Sequence, residues 1–321
     1  MAGRWTNWMA DLPCELWTHP LCSLAIPGSH NSLSFYVERE ANVDRKIEPI
    51  FGRYVEYFGE MAAEISHRWT QTQCTSVTEQ LNKGIRYLDI RVTARSGDDK
   101  NVFYRNGPNI LKILREIRRW SDRHPQEIVL LDFRVVNRLS SAQHRYLLAN
   151  MTQDVFEGKM LECTGHVKGV TLRNMWAIGA SLIVFYPKEC VFEYKTVWPS
   201  EYMGFVLSES QTAEGMIQAL DTVYTEGRPP HIFYCWQGVM IPNNEYISKN
   251  LDKTLKDKMS RSSRRATLNW ARDKDIHEGQ INVIVADFVD LDDFCKEIIL
   301  VNRCVRKLKR YEFESRTCNI S

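Results

Sequence analysis

Gly84-Ile-Arg-Tyr-Leu-Asp-Ile-Arg-Val92 is a short apolar run that carries charge. Ile, Tyr, Leu and Val favour an extended chain, and Gly84 punctuates its start. Side-chain alternation puts Asp89 and Arg91, two residues apart, on one face of that strand. Two charges in a strand otherwise built for burial are costly unless they pair or meet a ligand. Comparable runs recur at Cys22–Ile26, Val102–Tyr104, Ile128–Phe133, Ser181–Tyr186, His231–Trp236 and Ile281–Phe288, with another near Tyr202–Val206. Between them, three-to-four spacing of apolar residues predicts helices over Val77–Lys83, Ile110–Arg123, Ser141–Phe156, Thr171–Ala177, Ala213–Tyr224, Leu251–Ala271 and Leu291–Val301. Strands alternating with helices predict a parallel α/β core, either a closed barrel or an open doubly wound sheet. No repeat, low-complexity tract or long linker divides the 321 residues, so a single domain is expected.

Composition narrows the function classes. With 42 basic against 40 acidic residues the net charge is +2, which gives no global field for nucleic acid. The longest apolar runs are too short to cross a bilayer. The start, Met1-Ala-Gly-Arg-Trp-Thr-Asn-Trp, carries no apolar stretch of signal-peptide length, and Gly3 is not placed for myristoylation. A cytoplasmic protein, held peripherally at membranes if at all, is the expectation. Nine cysteines without CxxC spacing read as reduced thiols, neither a disulfide frame nor a zinc site.

A second charged feature lies in Ala25-Ile-Pro-Gly-Ser-His-Asn-Ser32, where an apolar strand is expected to break at Pro27-Gly28 and deliver His30 just beyond its end. Barrels place catalytic groups at strand ends, and an imidazole there can take a proton from an attacking hydroxyl. Arg91 suits bidentate phosphate contact; a structural salt bridge to Asp89 is the plainer alternative. Taken alone, a loop histidine is more often inert.

The Ile-Pro-Gly-Ser-His-Asn-Ser setting of His30, the Arg-Tyr-Leu-Asp-Ile-Arg strand, and the later Ile128-Val-Leu-Leu-Asp-Phe133, Val197-Trp-Pro199 and Ile281–Phe288 elements come in one order along nearly the whole chain. Together they resemble the phosphatidylinositol-specific phospholipase C X domain-containing proteins. The resemblance implies an irregular TIM (βα)8-type barrel over 21–305, with an N-terminal lead-in over 1–20 and a tail over 306–321. It implies a phosphoric diester hydrolase acting on inositol phospholipid at an anionic membrane surface, with no cofactor. His30 would be the general base and Arg91 would neutralise the developing phosphorane charge. Asp89 would hold Arg91 or inositol hydroxyls, and Asp132 and Asp287 would bind hydroxyls or orient His30. A guanidinium where calcium-dependent relatives carry a carboxylate implies a metal-free site.

Two positions depart from that pattern. Val102-Phe-Tyr-Arg-Asn-Gly107 carries Asn106 where the family has a second histidine, the general acid for the leaving oxygen. An amide gives no proton at neutral pH, and losing such an acid costs on the order of a hundred- to ten-thousand-fold in rate. Of Tyr104 and Arg105, alternation lets at most one reach the site. Asn31 replaces the aspartate common in metal-free relatives and is left with hydrogen bonding, as a substrate-binding candidate beside Asn106. The alternative to an active enzyme is therefore a pseudoenzyme that binds a phosphoinositide headgroup or a protein partner.

Two inserts should lie over the barrel mouth. Phe35–Trp69 carries Phe35, Tyr36, Phe51, Tyr54, Tyr57 and Phe58, which read as rings packed into the core more readily than as a membrane-dipping rim. Leu251–Arg265 gathers Lys253, Lys256, Lys258, Arg261, Arg264 and Arg265, either a solvated helix face or an attractor for anionic lipid.

Overall fold

The computed structural model describes residues 3–36, 61–95, 97–104, 107–135, 139–274 and 280–302. Among these described residues nine strands form: β1 (Ile26–Ser29), β2 (Tyr87–Arg95), β3 (Asp98–Tyr104), β4 (Val129–Val135), β5 (Leu182–Tyr186), β6 (Val197–Pro199), β7 (Met203–Val206), β8 (Phe233–Gln237) and β9 (Val283–Ala286). They form one sheet in the order β6-β5-β4-β2-β1-β9-β8-β7, parallel throughout, with β3 antiparallel on β2. The ladder ends β6 and β7 are consecutive in the chain and separated only by the 3-10 turn Ser200–Tyr202. The sheet therefore curls into an irregular barrel that no described ladder bond closes at that seam.

Three details differ from the sequence expectations. Val102–Tyr104 is not a barrel stave but the end of the antiparallel arm β3, and the missing stave is Val197–Pro199. A three-residue stretch is too short to show a period. The first strand is Ile26–Ser29, not Cys22–Ile26, so it runs through Pro27-Gly28 instead of breaking there. Pairing with β2 begins only at Gly28–Tyr87, so the N–H that Pro27 lacks costs no bond to β2, while its carbonyl accepts from the Arg86 N–H at 2.9 Å. Gly28 is needed for close approach: a Cβ there would lie 2.8 Å from both Tyr87 and Val285. Leu21–Ser23, upstream, is a 3-10 turn after Pro20.

Local signals set the staves in place. The helix Val77–Lys83 starts on a capping box between Ser76 and Glu79, and ends at Gly84, whose φ of 115° only glycine adopts readily. That stop feeds the chain directly into β2. At the opposite barrel end from the strand C-termini, Trp8, Met9 and Leu12 are buried in the same core as the staves. There Arg86 and Glu127, both almost fully buried, pair with each other and with the backbone of the N-terminal segment.

Candidate functional site

The C-terminal ends of β1, β2, β4 and β9 bring their polar residues together. His30 follows β1, and its backbone N–H donates to Ala286 at the end of β9. Its Nδ1 lies 2.7 Å from Asp287 Oδ1, while Nε2 lies 3.1 Å from an Arg91 Nη2 and 4.0 Å from Asp89 Oδ2. A guanidinium only donates, so Nε2 is the acceptor and the Nδ1–H donates to Asp287. This is the tautomer of a general base: the lone pair faces the site and the carboxylate orients the ring. Ser260 Oγ donates to the other oxygen of Asp287 at 3.2 Å, and Arg264 donates to the carbonyls of Asp287 and Phe288.

The backbone is forced at both strand ends. Asn31 has φ 46° and Phe288 has φ 50°, so each residue next to a site residue sits in the left-handed region. Asn tolerates this, but for Phe it is strained. The turn at Phe288 is held by its N–H donating to Thr72 at 2.6 Å, and the turn at Asn31 by its N–H donating to Asp89 Oδ2 at 2.9 Å.

On β2 and β4 the register places Asp89 against Asp132 and Arg91 against Arg134, so two Asp-x-Arg steps lie side by side. Arg91 reaches Asp89 Oδ2 at 3.2 Å, Arg134 reaches Asp132 Oδ2 at 3.0 Å, and Tyr87 donates to the same Asp132 oxygen at 2.6 Å. Arg134 also lies 3.7 Å from Asp89 Oδ1, an oxygen that accepts no hydrogen bond among the described residues. Burial alone would raise the Asp89 carboxyl, yet Arg91, His30 and Arg134 with the Asn31 N–H hold it well below the usual carboxylate range. For Asp132 burial wins over Arg134 and Tyr87, and its carboxyl is raised. Two neighbouring carboxyls are thus pushed apart in acidity, a pattern associated with functional sites.

Arg134 was not singled out from sequence. Its signal was available, since Leu88-Asp-Ile-Arg91 and Leu131-Asp-Phe-Arg134 repeat one pattern on two strands. Tyr104 is the residue of the third-strand motif that reaches the site, donating to Asn31 Oδ1 at 2.7 Å. Asn106 and Arg105 lie outside the described residues.

Above His30 opens a hollow of about 150 Å³, lined by His30, Asn31, Arg91 and Asp287 on its polar side and by Trp69, Met240, Ile241, Ile247 and Leu255 on its apolar side. It is smaller than the roughly 300–1,000 Å³ of a drug-sized pocket, so it suits a phosphate or one polar ring, not a whole lipid. Phe35, Phe205, Leu207 and Ile241, in β7 or in segments that follow strands, are exposed. Phe35 thus departs from the core packing expected for it, because its 3-10 turn Ser34–Tyr36 sits beyond the end of β1; Tyr36 is half-buried and donates to Glu116. Phe51, Tyr54, Tyr57 and Phe58 lie outside the described residues. Part of the basic insert is engaged in ion pairs: Arg264 is buried against Asp292 and the β9 end, while at the surface Arg261 pairs with Asp257 and Lys253 with Asp252. Among the described residues no group of three or more His, Cys, Asp or Glu side chains is arranged to hold a metal ion, and no helix is long and apolar enough to cross a membrane.

Comparison with known proteins decides the family. The PI-PLC X family model (PI-PLC X 1) matches residues 59–202. PI-PLC X domain-containing protein 3 of Homo sapiens is 31% identical over 300 residues, covering 92% of this chain and 93% of that protein. Its Bos taurus counterpart is 30% identical over 303 residues, covering 93% and 94%. The chain belongs to the PI-PLC X domain-containing family. Among solved structures it is similar to the phosphatidylinositol-specific phospholipase C of Listeria monocytogenes, at TM-score 0.57 and 17% identity, covering 92% of this chain and 98% of that one. A mutant of the corresponding Staphylococcus aureus enzyme aligns at TM-score 0.60 and 15% identity, covering 93% and 98%. These two place the fold among the irregular barrels of such enzymes.

Proposed function

We propose that this protein is a phospholipase C-type phosphodiesterase acting on inositol phospholipid, with His30 as general base and Arg91 as the phosphate-neutralising group. The observation that carries this reading is the His30 ring held between Asp287 at Nδ1 and Arg91 at Nε2. Nε2 would take the proton of the inositol 2-hydroxyl as that oxygen bonds to phosphorus, while Arg91 and Arg134 meet the charge that builds on the phosphoryl oxygens. The bond from phosphorus to the glycerol oxygen breaks, leaving a cyclic phosphate that water can open. Asp287 stabilises the imidazolium, and Asp89, kept ionised, holds Arg91. With Asn106 in place of an acid, the leaving oxygen takes its proton from water, and turnover is correspondingly slow. The small hollow admits the headgroup while exposed apolar residues such as Phe35 and Ile241 meet the lipid surface from the cytoplasmic side.

Asn106 also favours a second reading, in which the same groups bind a headgroup without cleaving it. Release of inositol phosphate from phosphatidylinositol vesicles separates the two. The enzyme reading expects slow wild-type release that drops at least about a hundredfold in His30→Ala. Equal background rates in both proteins would end it, and binding of inositol 1-phosphate that is lost in Arg91→Ala would then support the binding reading.

A further inference from the structure

Asn31 is pinned at nearly every polar group. Its N–H donates to Asp89, and its carbonyl accepts from the Ser34 N–H at 3.0 Å and from Thr72 Oγ1 at 3.2 Å. Its side-chain oxygen accepts the Tyr104 hydroxyl at 2.7 Å, and Tyr104 is fully buried. The structure sets the amide oxygen on the Tyr104 hydroxyl, which donates to it, so the NH2 group points the other way. Asn31 lines the hollow beside Arg91 and His30, and its NH2 is the one polar group of the residue with no hydrogen-bond partner among the described residues.

We propose that Tyr104 is a positioning residue that turns the Asn31 amide so that its NH2 faces the hollow, making Asn31 a second donor to a phosphoryl oxygen beside Arg91. The proposal rests on the reading of the hollow as a phosphate site and adds its polarity. An asparagine that offered its oxygen would suit a cation; with that oxygen committed to Tyr104, the residue presents only N–H groups and selects an anion. The same turn gives a reason for the left-handed backbone at Asn31, which aims one side chain at a strand arm on one side and a ligand on the other.

Binding of inositol 1-phosphate to the full chain, measured by calorimetry beside thermal melts, tests this. Tyr104→Phe and Asn31→Gly, the latter compatible with positive φ, are each expected to weaken binding about tenfold, the loss of one hydrogen bond to a charged oxygen. The double variant should bind no worse than Asn31→Gly. Asn31→Asp keeps the acceptor for Tyr104 and exchanges the NH2 for a carboxylate oxygen. It should weaken binding further than Asn31→Gly, and it keeps the test decisive should Tyr104→Phe fail to fold. Wild-type affinity in Asn31→Asp, or losses that multiply in the double variant, would overturn the proposal while a loss in Arg91→Ala left the phosphate site standing. Unchanged binding in Arg91→Ala would remove both.

Discussion

Arg86, just before β2, and Arg91, within it, sit five residues apart, and they have opposite fates. Arg86 is fully buried and spends its donors inside the protein, on Glu127 and on the carbonyls of Thr6, Leu81 and Ile85. It also stacks over Trp120, 4.7 Å from the ring centroid. Arg91 is a quarter exposed, pairs with one carboxylate and leaves a face on the hollow. Burial lowers the pKa of Arg86 even against the pull of Glu127, whereas Asp89 raises that of Arg91. The difference shows what an ion pair is for at each end of the barrel. A saturated guanidinium holds a segment in place, and on the proposed function the partly exposed one is left to meet an anion.

The largest expected effect breaks the saturated end. Glu127→Ala strands a buried guanidinium and frees the Met9 and Ala10 N–H groups, and should cost about 3–5 kcal/mol of stability. Replacing both partners by apolar residues should recover much of that loss. Urea unfolding checks both, and the contrast comes from Arg91→Ala. There Asp89 keeps the Asn31 N–H and the nearby Arg134, so the stability loss should stay below that of Glu127→Ala while headgroup binding fails. A larger stability loss at Arg91 than at Glu127 would erase the distinction between the two ends.

Acid titration sharpens the comparison inside the open end. Asp89 has a depressed folded value, so its stabilisation is present above the unfolded carboxylate value near about 3.9 and is lost as pH falls toward and through the lower folded value. Asp132 is raised, so its ionisation opposes folding: the protein loses stability as pH rises from below about 3.9 through the raised value. Asp89→Asn should therefore flatten the acid side of the stability profile, and Asp132→Asn should steepen the rise of stability with pH. Chemical denaturation between pH 3 and 7 reads both slopes; the same sign of change in the two variants would show that the pair does not divide as described.

What the sequence showed of this site follows from how local each signal is. His30, Asp89 and Arg91 were legible because a strand-end histidine and an alternating Asp-x-Arg carry their geometry within a few residues. The parallel α/β class followed from the same periodicities. The pairing of Arg86 with Glu127 spans 41 residues and depends on which staves become neighbours, which no local pattern states. Arg134 repeats the Asp-x-Arg step on a second strand, but its place beside Asp89 comes from the register that pairs β2 with β4, which no local pattern states. The shifted first strand and the missed stave have different causes. Pro27-Gly28 is read as a stop by propensity, but the barrel needs a residue without a Cβ between Tyr87 and Val285, and Val197–Pro199 is too short to carry a signal of its own. The antiparallel course of β3 was hidden because alternation tells a strand's faces and not its direction.

The smallest expected effect concerns Arg134, the cation that distinguishes this open end from a single Asp–Arg pair. Its guanidinium lies 4.4 Å from the ring centroid of Phe205, an exposed residue of β7 across the mouth from β4. A cation–π contact at so exposed a position is worth about 0.5–1 kcal/mol. Phe205→Ala should thus leave folding almost unchanged, while Phe205→Trp, with a richer ring, should hold Arg134 more firmly over the site. If Arg134 shares the phosphoryl charge with Arg91, inositol 1-phosphate affinity should shift about two- to fivefold between these variants, in opposite directions from wild type. If Arg134 only satisfies Asp132, both variants should bind alike, because a salt bridge already fixed by two oxygens of neighbouring strands gains nothing from the ring above it.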